Sequence, residues 1–163
     1  MNYKDFLKEY NEAEDKNKAD ILRKHLTTEY LPFETKLTEG KEIARRAMSA
    51  NDGRVIRNTP MLFYLFAIRS IALYTDIECD NDDVLDMFNE FNKSGIFDLF
   101  FMQIVPQREY SEFHNYVLQC SDDYYENNMG TSQYLDRKLA AYSMVLNETL
   151  NSLTEYVKSQ ATE

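Results

Sequence analysis

Apolar residues recur at helical spacing along most of the chain, and interruptions of that spacing mark where elements end. In "YKDFLKEY" the positions Tyr3, Phe6, Leu7 and Tyr10 share one face. Ala19, Leu22 and Leu26 resume the pattern after the polar gap "NEAEDKNK", which fits one bent helix or two short ones. Pro32 breaks it by driving Leu31 toward an extended backbone. Leu37, Gly40, Ala44 and Ala47 form the next stripe, and their small size predicts a closely approaching neighbour. "NDGRVIRN" (51–58) is the clearest loop, with Asn-Asp-Gly turn chemistry and room for a short hairpin.

"NTPMLFYLFAIRSIALY" (58–74) is the most apolar stretch. Asn58 or Thr59 suits the cap of a helix with Pro60 near its first position. The apolar run Met61–Tyr74 is 14 residues long and contains Arg69 and Ser70. A bilayer span needs about 20 apolar residues. The run therefore predicts the buried centre of a helical bundle, helix 60–74, apolar nearly all round. Arg69 must then reach water or a carboxylate, because an unpaired buried guanidinium is costly.

Beyond the loop "TDIECDNDD", Val84, Leu85, Phe88 and Phe91 predict a short amphipathic helix stopped by Gly95. "IFDLFFMQIVP" predicts another, ending before Pro106, and Tyr110, Phe113, Val117 and Cys120 or Tyr124 stripe a third, broken at Gly130. The last helix, 132–158, is the longest. Its apolar positions are Leu135, Leu139, Tyr142, Leu146, Leu150, Leu153 and Val157, in steps of 4, 3, 4, 4, 3 and 4. Such a helix is about 40 Å long. One reading lays it along the bundle. The other lets its end project and pair with another chain, giving a homo-oligomer through this C-terminal helix. The expected architecture is all-α: a single domain (1–163), a bundle of about six or seven helices around 60–74.

Composition supports this class. The chain has 163 residues, 44% apolar and 28% charged, with four Gly and three Pro. That is a globular mixture with too few turn residues for a sandwich or barrel. The formal charge is −10, unevenly spread: residues 1–57 hold 12 basic and 11 acidic side chains, residues 58–163 hold 6 and 17. Such a balance disfavours direct contact with nucleic acid or an anionic membrane. Cys79 and Cys120 are too few for a disulfide framework or a four-ligand zinc site. The charged N-terminus predicts no signal peptide, and a reducing cytoplasm is the simplest compartment.

Candidate chemistry is sparse. Asp76, Glu78, Asp80, Asp82, Asp83 and Asp86 crowd eleven residues. Their alternation imitates a calcium loop, but Asn81 and Met87 stand where that loop needs Gly and Glu. The stretch reads instead as a solvated turn helping to cap the next helix, or as a docking surface for a basic partner. Asp122, Asp123, Tyr124, Tyr125 and Glu126 form a second candidate interface, since tyrosines supply adaptable contact area. Lys41, Arg45, Arg46, Arg54 and Arg57 form a basic patch suited to weak binding of an anion or a phosphate backbone, and better suited to the acidic surface of the same or a neighbouring subunit. His114 and Cys120 do not share a helical face, and no phosphate-binding glycine loop or Cys-x-x-Cys occurs. The expectation is no enzyme, with no catalytic, cofactor-binding or metal-ligating residue and no cofactor.

Three segments, "EYLPFETKL" (29–37), "NTPMLFYLFAIRSIALYTDIE" (58–78) and "NKSGIFDLFFMQIVPQREYSEF" (92–113), in this order resemble small acidic helical proteins of tailed phages and prophages of Gram-positive bacteria. Tyr30, Pro32, Phe33 and Lys36 match the first motif, and Asn58, Thr59, Pro60, Tyr74, Thr75 and Asp76 the second. The third departs where the pattern has Ile-Pro followed by an acidic residue, since this chain reads Ile104-Val105-Pro106-Gln107. The resemblance implies viral origin and transfers no functional residue. It leads to two expectations. One is a non-enzymatic phage protein that binds a phage structural or host protein, in virion assembly or as a minor virion component. The other is an inhibitor whose carboxylates imitate phosphates and block a nucleic-acid-binding host defence protein. The place of action is the bacterial host cytoplasm, or the virion.

Overall fold

The computed structural model describes residues 1–51, 54–79 and 83–160, the side chains of Asn51 and of 155–160 excepted. It is 78% helical, with eight α-helices and one two-stranded sheet among the described residues. The all-α class and the long C-terminal helix therefore stand as expected. Contacts divide the chain into two compact units: Met1–Ser49 with Ile56–Asn127, and Ala50–Val55 with Asn128–Glu163.

In the first unit, α1 (Tyr3–Glu12) begins where the Asn2 side chain accepts a hydrogen bond from Lys4 N at 2.9 Å. Tyr3, Phe6, Leu7 and Tyr10 are all buried, as their spacing predicts. A short 3-10 turn, Asp15–Asn17, separates α1 from α2 (Lys18–His25), so the N-terminal pattern makes two helices and not one bent helix. In α3 (Phe33–Arg46) the buried face is Lys36, Gly40, Ile43 and Ala44, with Leu37 only half-buried. The predicted close neighbour is α7 (Gln107–Asn128): a Cβ at Gly40 would lie 3.2 Å from Cys120 Sγ and 3.5 Å from the Tyr116 carbonyl oxygen.

The apolar run becomes α4 (Thr59–Tyr74), capped by Asn58, whose Oδ1 accepts from Met61 N at 3.0 Å. Leu62, Leu65, Phe66, Ala67, Ile68, Ser70, Ile71 and Tyr74 are buried, and α3 and α5 (Val84–Lys93) pack on this helix. Arg69 reaches a carboxylate, donating to Glu39 Oε2 of α3 at 2.9 and 2.6 Å. Among the described residues no helix is long and apolar enough to cross a membrane.

Gly95 follows α5 at φ 70°, a left-handed position that costs glycine nothing and stops the helix. The next segment departs from the single helix expected before Pro106. Only Ile96–Leu99 is α-helical (α6), and Phe100–Ile104 widens into a π turn, with Val105 N donating to Phe100 O at 3.0 Å. In this register Ile96, Phe97, Phe100, Ile104 and Val105 are buried while Met102 faces solvent. Phe101 stacks between Phe66 and Phe97, at 5.8 and 6.1 Å. The separate α2 brings the helices among the described residues to eight, where about six or seven are expected.

In the second unit, the segment Ala50–Val55 belongs to the hairpin for which the loop leaves room, strands β1 (Met48–Asn51) and β2 (Arg54–Arg57). The Gln133 side chain closes both backbone groups of Val55, accepting from its N–H at 2.9 Å and donating to its carbonyl at 2.8 Å. Gln133 opens α8 (Thr131–Gln160), the longest helix. Tyr134, Leu135, Leu139, Tyr142, Met144, Val145, Leu146, Leu150 and Leu153 of α8 are all exposed.

Candidate functional site

The most heavily partnered charges lie inside the first unit. Lys36 projects from the buried face of α3, and its Nζ donates to Glu109 Oε2 at 2.8 Å and to Glu112 Oε1 at 3.1 Å. The other Glu109 oxygen accepts from the Tyr74 hydroxyl at 2.8 Å and from Leu31 N at 2.9 Å. Lys36 also lies over the Tyr30 ring, 4.7 Å from its centroid. Pro32 shapes this corner: it leaves Leu31 extended, with its N–H free to reach across to α7.

Burial works against both charges, and the pairing outweighs it. Desolvation pulls the Lys36 ammonium down, but hydrogen bonds and charge from Glu109 and Glu112 hold it above its ordinary value. Desolvation pushes Glu109 up, yet Lys36, Leu31 N and Tyr74 together hold it below the ordinary carboxylate range. Tyr74 is raised by desolvation and by the carboxylate it faces, so it stays a donor. The junction joins three separated stretches of chain: the donors Leu31 and Lys36 lie in 29–37, the donor Tyr74 in 58–78, and their acceptor Glu109 in 92–113. Glu109 accepts three hydrogen bonds from within the protein, two on Oε1 and one on Oε2, and so ties α3, α4 and the Leu31 corner to α7. A cavity of about 350 Å³, lined by Glu29, Tyr30, Pro106, Arg108, Glu109 and Glu112, opens beside it.

His25, buried at the end of α2, sets Nδ1 2.8 Å from Asp76 Oδ1, with Glu9 Oε2 3.6 Å from Nε2. The segment after α4 is held there by its backbone, Asp76 N donating to His25 O at 3.0 Å and Glu78 N to Met1 O at 2.7 Å. The nucleophiles are quiescent. Burial pushes the Cys79 thiol up to about 12 and raises Cys120 as well. His114, lowered by burial, stacks on Tyr110 at 5.8 Å. Among the described residues no three His, Cys, Asp or Glu side chains are grouped to hold a metal ion. A second concavity, of about 550 Å³, gathers Lys4, Lys8, Lys18 and Lys93 with Asn11, Ser94 and Glu90, an electropositive hollow in an acidic protein.

The acidic candidates are only partly available to a partner. Asp76 is engaged by His25, and Asp80 and Asp82 lie outside the described residues. Glu78, Asp83 and Asp86 are exposed; Asp83 stands at the N-cap of α5 without a side-chain capping bond. On the last turns of α7, Asp122 pairs with Arg57 at 2.7 Å, and the Arg57 guanidinium lies 5.1 Å over the Tyr125 ring. Asp123 and Glu126 are exposed, and Tyr124 and Tyr125 half-buried. The basic patch thus meets acidic groups of its own chain: Arg57 meets Asp122, Arg45 meets Glu42 at 2.7 Å, and Arg54 meets Asp136 at 3.5 Å.

Sequence reasoning missed the Lys36–Glu109 junction and the lysine hollow. The junction left a readable trace, a lone charge of opposite sign on each of two apolar stripes. The hollow left none, because its lysines come from three separate helices. Comparison of the chain with protein families, curated proteins and solved structures finds no match in any of the three. The fold and the site define an all-α protein with a buried ionic junction and one long, apolar-faced terminal helix.

Proposed function

We propose that this chain is a non-enzymatic protein of tailed-phage origin that acts by binding protein, in virion assembly or as a minor virion component. The observation that carries the reading is the uncovered apolar face of α8, where Leu139, Tyr142 and Leu146 are 66, 67 and 62% exposed. An apolar surface of that extent marks a contact site. Glu109, held by three donors, and two thiols whose pKa burial raises support a non-enzymatic role. Viral origin rests on the three-segment resemblance.

The alternative, an inhibitor presenting carboxylates in place of phosphates, draws on fewer groups than the sequence offers, because Asp76 and Asp122 already hold His25 and Arg57. It requires binding that weakens steeply with salt, whereas an α8 contact through apolar residues does not.

The test compares the intact chain with a Leu139→Glu/Leu153→Glu variant in pull-downs from infected cells and in purified virions. A phage protein retained by the intact chain and lost by the variant is expected. Retention of the same partner by both, or no phage partner and no copy in virions, would overturn the reading.

A further inference from the structure

The apolar positions of α8 carry information about what covers them. Positions 135, 139, 142, 146, 150, 153 and 157 advance by 4, 3, 4, 4, 3 and 4, a series that is the same read in either direction. We propose that the occupant of this face is α8 of a second copy of the chain, running antiparallel, with Leu146 on the two-fold axis. The inference rests on the reading that α8 is a protein-contact helix, and adds which protein and in which orientation.

With Leu146 on the axis, Leu139 meets Leu153 of the second copy, Tyr142 meets Leu150, Leu146 meets itself, and Leu135 falls opposite position 157, a valine in the sequence. Every position of this seven-residue series finds an apolar partner with no slip in register. An isologous pair of this kind needs one self-complementary surface, which the palindromic spacing supplies.

Spacing alone also permits a parallel pair, and charge decides between them. Residues 131–145 contain Asp136, Arg137 and Lys138, a net +1; residues 146–160 contain Glu148, Glu155 and Lys158, a net −1. Antiparallel pairing sets the positive half of each helix against the negative half of the other. Parallel pairing aligns Arg137 with Arg137 and Glu148 with Glu148, and like charges across an interface are disfavoured. Residues 1–130 carry 15 basic and 24 acidic side chains, a net −9, and enter α8 at Thr131 in both copies. A parallel pair brings those entry points together; an antiparallel pair separates them by the helix length, about 45 Å. Antiparallel helices also oppose their dipoles.

The period has a further consequence. The series is two 11-residue repeats, or 3.67 residues per turn, close to the 3.6 of a straight α-helix. The pair is therefore nearly straight with slight right-handed winding, unlike the left-handed heptad coil.

The test is disulfide cross-linking of the full chain carrying Cys79→Ala and Cys120→Ala, with one new cysteine at a time. Leu146→Cys alone is expected to form a covalent dimer on oxidation. Leu139→Cys and Leu153→Cys are expected to cross-link only when mixed. Cross-linking of Leu139→Cys to itself in preference to Leu153→Cys would overturn the antiparallel geometry. A second measurement leaves the native cysteines in place. By light scattering the intact chain should have twice the 19.3 kDa chain mass, and Leu146→Glu the single mass with unchanged folding of the rest. A monomeric intact chain overturns the inference, even if α8 still retains a foreign protein and the broader reading survives. A dimer without any foreign partner upholds the inference while the phage-partner reading falls.

Discussion

Lys36 and Glu109 are 73 residues apart in sequence and 2.8 Å apart in space, joining α3 to α7 through two groups that are 0 and 5% exposed. Their energetics are asymmetric. Forming a buried pair costs nearly what it returns, but removing Glu109 leaves the buried Lys36 ammonium with Glu112 alone. Glu109→Gln keeps an acceptor for Leu31 N and the Tyr74 hydroxyl but turns an amide donor toward the Lys36 ammonium. A loss of about 3–5 kcal/mol in unfolding free energy is expected by urea titration. Lys36→Met combined with Glu109→Gln should recover a large part of it; failure of the second change to help would argue that the pair is not the reason for the loss.

The same junction gives a pH dependence. Glu109 is held below its ordinary range in the folded protein, so its stabilisation is fully present above the unfolded value, about 4.3, and is lost as pH falls through the folded value. Lys36 is held above its ordinary value, so its share is present below the unfolded value, about 10.4, and is lost as pH rises through the folded one. Urea midpoints should thus fall at both extremes. In Glu109→Gln the acid-side slope should be shallower than in the parent.

Gly40 lies where α3 packs against Cys120, Tyr116 and Val117 of α7. Valine there adds a branched side chain where even a Cβ would lie 3.2 Å from Cys120 Sγ. A loss of roughly 1–3 kcal/mol is expected from overpacking. Gly40→Ala sets a small clash against a helix-propensity gain of about 1 kcal/mol and should be near neutral. Thermal unfolding of the two variants separates these outcomes, and equal effects would contradict the packing described.

Both thiols are protonated and sheltered. Cys79, pushed up to about 12 by burial, has almost no thiolate at neutral pH. Cys120 is buried against α3. A thiol reagent at neutral pH should modify the folded chain slowly and the urea-unfolded chain quickly at both cysteines. Rapid modification of Cys79 in the folded protein would show that the 75–79 segment opens readily.

The helical class, α4 as a buried centre and α8 as the longest element were legible because a strong period survives any tertiary detail. Side-chain facing was legible where the stripe is unbroken, as in α1. It failed where the inward position was one that the apolar stripe did not mark. In α3 the buried position is Lys36 and not Leu37; in α5 Met87 is buried and Leu85 exposed. A charge on an apolar stripe reads as noise until an opposite charge on another helix is known to face it, and that pairing exists only in three dimensions. The π turn at Phe100–Ile104 was invisible because a one-residue shift in hydrogen-bond partner leaves no mark on composition.

The gathering of donors from residues 31, 36 and 74 onto residue 109 also sets an order of events during synthesis. A nascent chain that has emerged only as far as Pro106 contains Lys36 and the Tyr74 hydroxyl but nothing for them to hold. The first unit cannot close its interior until α7 leaves the ribosome. Until then the most apolar helix, α4, lacks the carboxylate that its Tyr74 hydroxyl meets in the folded chain, and transiently exposed apolar surface of this kind favours aggregation.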